Sequence, residues 1–193
     1  MNSQLSRRYQ TAKNIQSAAI TLATKDGLNN ITTEAIASAA GVSARTFFNY
    51  YPYKEAALMG PPPDYPENAV EAFINGNNSL LDDLRDLITA HLTRFLHEKE
   101  LLAQLLKLSE QDPKLMALRN NAILARRSKM AELLQHRMPD ADPRMIHILS
   151  AAIIGATNNA AQIWATGQVD DFVGAALENL AFILPAAELL NQK

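Results

Sequence analysis

The chain has 193 residues and no cysteine, which excludes disulfides, thiolate metal ligands and a thiol nucleophile. Its seven glycines form no phosphate-cradling loop. No apolar run reaches the roughly 18 residues needed to cross a bilayer; the longest Ala/Ile-rich stretch is broken by Asn158 and Asn159. The opening segment, MNSQLSRRYQ, lacks the apolar region of a secretory signal. Histidines are few, and His91 and His97 stand six apart, on different faces of any helix, unlike an i, i+4 ligand pair. His136 and His147 fall on separate expected helices, with no acidic partner spaced to close a site. The chain is therefore read as having no catalytic residue, no metal site and no cofactor, and as a cytoplasmic protein that does not enter a membrane.

Apolar residues make up 48% of the chain, enough for a real core. The net charge of −2 is unevenly divided. Residues 1–54 carry six basic groups (Arg7, Arg8, Lys13, Lys25, Arg45, Lys54) against two acidic ones (Asp26, Glu34), whereas the remainder carries twelve basic and eighteen acidic. A small head suited to a polyanion on an acidic body is the implication.

Strand signals are nearly absent and a 3.6-residue period recurs, so the fold class is all-α. A first helix is expected over about 7–25, stopping at Gly27. Thr32 or Thr33 can cap a second through Ala40, Gly41 supplies a backbone able to take positive φ, Ser43 caps a third, and Pro52 or Tyr53 opens a fourth. The segment GPPPDYP, residues 60–66, holds four prolines and cannot continue a helix. It divides a head at 1–59 from a body at 67–193. In the body, Leu80, Leu84, Leu87, Ile88, His91, Phe95 and Leu96 mark one helix face. Asp112-Pro113 and Asp142-Pro143 each open a long helix, the second ending at Gly167. A last helix covers about 169–190, kinked or ended by Pro185.

The densest local signal is AGVSARTFFNYY, residues 40–51, with four aromatic rings in five positions of a chain that has only twelve. Small Ala37, Gly41 at the turn and the apolar anchors Ile36, Ala40, Val42 and Phe47 are what a helix-turn-helix needs. Helical phase puts Phe47 and Tyr51 on the core side. Arg45, Phe48 and Asn49 point elsewhere, with Tyr50 at the flank. An exposed arginine can fork onto guanine, an exposed Phe can pack on a thymine methyl, and a Tyr hydroxyl or Lys54 can reach a phosphate. The competing reading is a helical hairpin, or a protein-interaction module with this fold that binds no DNA.

The stretch TTEAIASAAGVSARTFFNYYPYKEAAL resembles the DNA-binding signature of the TetR family of bacterial transcriptional regulators. The resemblance covers about 27 residues and implies roles for them. Thr33 matches a phosphate-contacting position, and Glu34 one from which some members reach a base. Ala44 and Arg45 match base-facing positions, Thr46 a backbone or base-edge contact, and Phe48, Asn49 and Tyr50 the groove-facing run. Lys54 matches a phosphate-binding lysine. Arg45 stands where glycine is frequent and Phe48 where tyrosine is frequent, so the operator is expected to differ from better-known ones.

The resemblance also implies a regulator, a repressor by family habit, that binds a palindromic operator in double-stranded DNA and responds to an unidentified small-molecule effector. It implies a homodimer through the last two helices, which the Ala-rich 150–166 stretch and the apolar final helix fit physically. In the body, His91, Phe95 and Trp164 are candidate pocket residues, with a satisfied core histidine and a core or interface tryptophan as the alternatives. Asn158 and Asn159 are read as one facing a pocket or partner and the other solvent. Arg126 and Arg127 are read as a solvated face, with anion binding as the alternative.

Overall fold

The structure, a computed structural model, describes residues 3–192, with side chains from Arg7 onward. Met1, Asn2 and Lys193 lie outside the described residues, and with them the first two residues of the opening segment. Eleven α-helices are present among the described residues, and no strand: α1 (Ser3–Asp26), α2 (Thr33–Ala39), α3 (Ala44–Tyr50), α4 (Lys54–Met59), α5 (Glu67–Ile74), α6 (Leu80–Leu92), α7 (Lys99–Gln111), α8 (Pro113–Arg137), α9 (Pro143–Ala165), α10 (Phe172–Ala181) and α11 (Ile183–Glu188). Short 3-10 turns occupy Leu28–Asn30, Thr93–Glu98 and Leu189–Asn191.

The helix boundaries in the head follow from capping chemistry. Thr32 accepts the Ala35 amide at 3.1 Å and Ser43 accepts the Thr46 amide at 3.0 Å, each satisfying one of the unpaired donors at a helix start. Between the two caps Gly41 sits at φ 68°, the left-handed conformation that turns the chain from α2 into α3. Gly60 ends α4 at φ 71°, and a Cβ there would collide with the Gln16 side chain.

The chain folds into two compact units that part at Pro63–Asp64, within the proline-rich connector. The first unit is Met1–Pro63 together with Glu100–Ala122, so most of α7 and the start of α8 join the head instead of the body. The reason is burial: Leu105, Leu108 and Leu115 belong to the same core as Ile15, Ile20, Ile36, Phe47 and Leu58. The second unit is Asp64–Lys99 with Ile123–Lys193. In it α10 packs on α9 and α6, and α5 on α6. Arg137, ending α8, donates to the buried Asp83 carboxylate of α6 at 2.9 Å, and Asn78 donates to the same carboxylate.

Two expectations need correction, and the break expected from Pro185 falls a little before it. The stripe read across 80–96 does not continue on one helix, because the chain tightens into a 3-10 turn at Thr93 and leaves Leu96 exposed. The final helix breaks at Phe182, three residues before Pro185. Proline has no N–H and its ring crowds the carbonyl four residues back, here Ala181, the last residue of α10. Finally, Phe172–Asn191 is long and apolar enough to cross a membrane by length and composition alone, with mean hydropathy 1.5. In this fold that segment is broken at Phe182 and packs Phe172, Ala176 and Leu180 inward.

The adjacent rings Phe47 and Phe48 separate core from surface in one step, at 0% and 52% exposure. Phe47→Ala is expected to cost about 3–5 kcal/mol of unfolding free energy. Phe48→Ala should stay within about 0.5 kcal/mol. Urea denaturation of both variants checks the partition.

Candidate nucleic-acid interface

The surface of α3 is set by which of its residues the head consumes. Phe47 is fully buried, and Tyr51, just past the helix end, is 6% exposed with its hydroxyl donating to the Ala12 carbonyl of α1 at 3.1 Å. The two rings lie 6.2 Å apart. Burial raises the Tyr51 phenol well above its usual range, with Tyr9 and Tyr50 adding to the effect, so it stays a neutral donor. With those two positions directed inward, Ala44, Arg45, Phe48 and Asn49 are left exposed together. This is the face anticipated for DNA.

Other candidates are more constrained. The Thr46 hydroxyl is half-buried and 2.9 Å from the Ser43 hydroxyl, so part of its hydrogen-bonding capacity lies in the cap. Thr33 is half-buried at the first position of α2. The exposed Glu34 carboxylate is held below its usual range first by a backbone hydrogen bond in its own turn, then by the Thr32 and Thr33 hydroxyls. Tyr50 is half-buried, and the Arg8 guanidinium of α1 lies 5.8 Å from its ring centroid. Arg8 thus joins the flank of α3. In the sequence it registers only as charge, because its place beside Tyr50 depends on how α1 crosses the head.

Lys54 directs its ammonium into the head. Nζ donates to the carbonyls of Leu28 at 2.7 Å and Ile31 at 3.0 Å. Its neighbours are gripped from α8: the Lys114 ammonium pairs with Glu55 at 3.1 Å and lies 4.6 Å from the centroid of the Tyr53 ring. A cleft of about 440 Å3 opens beside the same 3-10 turn, lined among others by Asn29, Asn30, Gln104, Lys107 and Gln111. No sequence signal points to it, since its walls are distant in the chain.

In the second unit His91 and Phe95 do come together, their ring centroids 5.2 Å apart, and Tyr65 joins them at 4.4 Å from His91. Trp164 packs elsewhere, stacked on Phe172 at 4.5 Å with the Lys99 ammonium 5.9 Å from its ring centroid. Arg94 donates to the Asp64 carbonyl at 2.7 Å. His91 is 7% exposed, and its Nδ1 is buried with no hydrogen-bond partner. Burial lowers its pKa to about 4, helped by the Arg94 and Arg126 charges and opposed by a hydrogen bond to the Asp64 backbone. The solvated face expected at Arg126 and Arg127 needs correction at Arg126, which is half-buried and whose charge is felt at His91 and Tyr65. Asn159 accepts a hydrogen bond from Asn179 of α10 at 3.1 Å.

Residues 15–58 match the family model described as bacterial regulatory proteins, TetR family. No curated protein matches the chain. Among solved structures it resembles Thermus thermophilus FadR, a TetR-family transcriptional repressor in complex with lauroyl-CoA. The identity is 26%, over 90% of this chain and 93% of that one, with a TM-score of 0.54. FadR from Bacillus halodurans, a fatty acid degradation regulator, shares the fold at 18% identity, over 89% and 93% of the two chains, with a TM-score of 0.55. A TetR-like transcriptional regulator from Rhodococcus sp. RHA1 does so at 18%, over 95% and 97%, with a TM-score of 0.52.

The depressed pKa of His91 has a signed consequence for stability. Between its unperturbed value of 6.5 and about 4, the unfolded chain binds a proton that the folded chain does not. Stability is therefore expected to fall as pH drops through that window. His91→Gln should remove this part of the slope, which a comparison of urea midpoints from pH 7 to pH 4 measures.

Proposed function

We propose that this chain, a member of the TetR family of DNA-binding transcriptional regulators by its N-terminal domain, is a homodimeric repressor released from a palindromic operator by a small molecule. The observation that carries the reading is the exposed group Ala44, Arg45, Phe48 and Asn49 on a capped helix that Phe47 anchors in the head. Arg45 reads a base, since a guanidinium forks onto guanine O6 and N7 in the major groove. Phe48 makes an apolar contact with a base or sugar, and Asn49 a polar one. Thr33, Thr46 and Tyr50 contribute backbone contacts that fix register. The alternative of a protein-interaction module without DNA binding is not favoured, because the matched family model describes bacterial regulatory proteins and Thermus thermophilus FadR is a transcriptional repressor.

Dimerisation rests on apolar surface near the C-terminus. Met145 and Ile148 of α9 are 68% and 71% exposed, and Leu184 of α11 and Leu190 are 70% and 89% exposed. Pairing these helices with a second copy covers that surface and gives two heads for two half-sites, about 34–36 Å apart for successive turns of the groove. The effector acts by population shift, binding the helical body better when the heads are spaced wrongly for the operator. The Tyr65, His91 and Phe95 cluster is the candidate contact. Because Thermus thermophilus FadR is bound to lauroyl-CoA, that acyl-CoA is the first effector to try.

Selection of bound duplexes from a random pool tests the reading. A two-fold palindrome with guanines at symmetric positions is expected, and recovery of no consensus at low salt would overturn it. Arg45→Ala should relax preference at one symmetric pair of positions by about 1–3 kcal/mol each. Ile148→Glu with Leu184→Glu should give a folded monomer in light scattering that has lost tight operator binding.

A further inference from the structure

Position 54 matches a phosphate-contacting lysine in the family signature, but the side chain here is already engaged inside the head. Its Nζ lies 2.7 Å from the Leu28 carbonyl and 3.0 Å from the Ile31 carbonyl, and the residue is half-buried. Those carbonyls belong to the segment that leads into α2. Leu28 begins the 3-10 turn after α1, and Ile31 immediately precedes Thr32, the cap of α2. Leu28 and Ile31 are themselves buried in the head core, at 9% and 4% exposure. Bonds from an ammonium to carbonyls are charge-assisted and stronger than neutral ones.

We propose that Lys54 is a positioning residue: its ammonium ties the first turn of α4 to the 28–31 segment, fixing the entry of α2 and through it the pose of α3 on DNA. A lysine with two of its three donors committed to fixed carbonyls has one left for water or phosphate. The tie works from inside the head, so it needs no contact with DNA. It also lies at a junction. Gln16 of α1 donates to the Leu58 carbonyl at 3.1 Å near the end of α4, while Lys114 holds Glu55 and Tyr53 at its start. Lys54 is the member of this group that reaches the segment before α2.

The inference rests on the operator-binding reading, and the two fail separately: an absence of specific binding by the unmodified protein defeats the reading, whereas the variants test the tie. A phosphate contact and an internal tie leave different marks. Losing a phosphate contact weakens binding to all sequences alike and flattens the plot of log affinity against log salt by about 0.9 per contact. Losing an internal tie misplaces α3, so affinity for the operator falls while non-specific affinity and the salt slope stay. Operator and random-duplex affinities are measured from low to moderate salt for the unmodified protein, Lys54→Met, which keeps the apolar stem, and Lys54→Arg, which restores donors.

For Lys54→Met we expect operator affinity to drop roughly tenfold, the scale of one charge-assisted hydrogen bond. Random-duplex affinity and slope should be unchanged, and Lys54→Arg should recover most of the loss. Uniform loss with a flattened slope would overturn the proposal in favour of a phosphate contact. A lowered melting temperature with unchanged operator affinity would also overturn it, leaving Lys54 a merely structural residue. Lys54→Gln, read the same way, replaces Lys54→Met should that variant not fold.

Discussion

The head depends on one constraint: its third helix, α3, is too short to stand alone. Seven residues make barely two turns, and isolated helices below about 12 residues are marginal in water even with good formers. Two of the rings in α3 and at its end, Phe47 and Tyr51, remove this difficulty by docking into the head core, one by burial and one by burial plus a hydrogen bond to the Ala12 carbonyl of α1. Tyrosine suits the second place because its hydroxyl meets an acceptor where a phenylalanine would leave that carbonyl without this donor. Once these two residues are fixed, helical geometry alone decides which side chains face outward. The concentration of aromatics in 47–51 is thus half scaffold and half surface.

The same economy shapes α4, which has six residues and almost no helical stability of its own. Its buried residues Ala57 and Leu58 supply packing, while polar ties supply direction. Gln16 meets the Leu58 carbonyl and fills the space that a side chain on Gly60 would need, so the glycine and the buried amide require each other. Lys114 belongs to the first turn of α8, a helix that continues to Arg137 in the second unit.

Much of the head was legible in the sequence because its signals are local. Thr32, Gly41 and Ser43 announce caps and a turn by their own chemistry, and the inward positions of Phe47 and Tyr51 follow from a spacing of four. Lys54 and Arg8 were not legible, since their partners lie 23 or more residues away and depend on tertiary crossing. The membership of α7 and α8 in the first unit escaped for the same reason: Leu105, Leu108 and Leu115 look like any helical stripe until their neighbours are known. In the body, His91 and Phe95 could be paired by helical phase, but Tyr65 arrives from the connector and Trp164 turns to Phe172.

The two units also differ in how completely their polar groups are satisfied. In the first, the buried or half-buried donors Gln16, Tyr51 and Lys54 all reach carbonyls. The second unit contains both of the buried side-chain atoms without a partner among the described residues, His91 Nδ1 and Arg137 Nε. An unpaired buried polar atom costs free energy that better packing would recover. Such costs persist where a site answers to something besides folding. That contrast separates a head in which Gln16, Tyr51 and Lys54 are all paired from a body that leaves two buried atoms unpaired. In the second unit that cost falls on the neutral ring of His91, held beside two aromatic rings and under the influence of two guanidinium charges, and on Arg137 Nε.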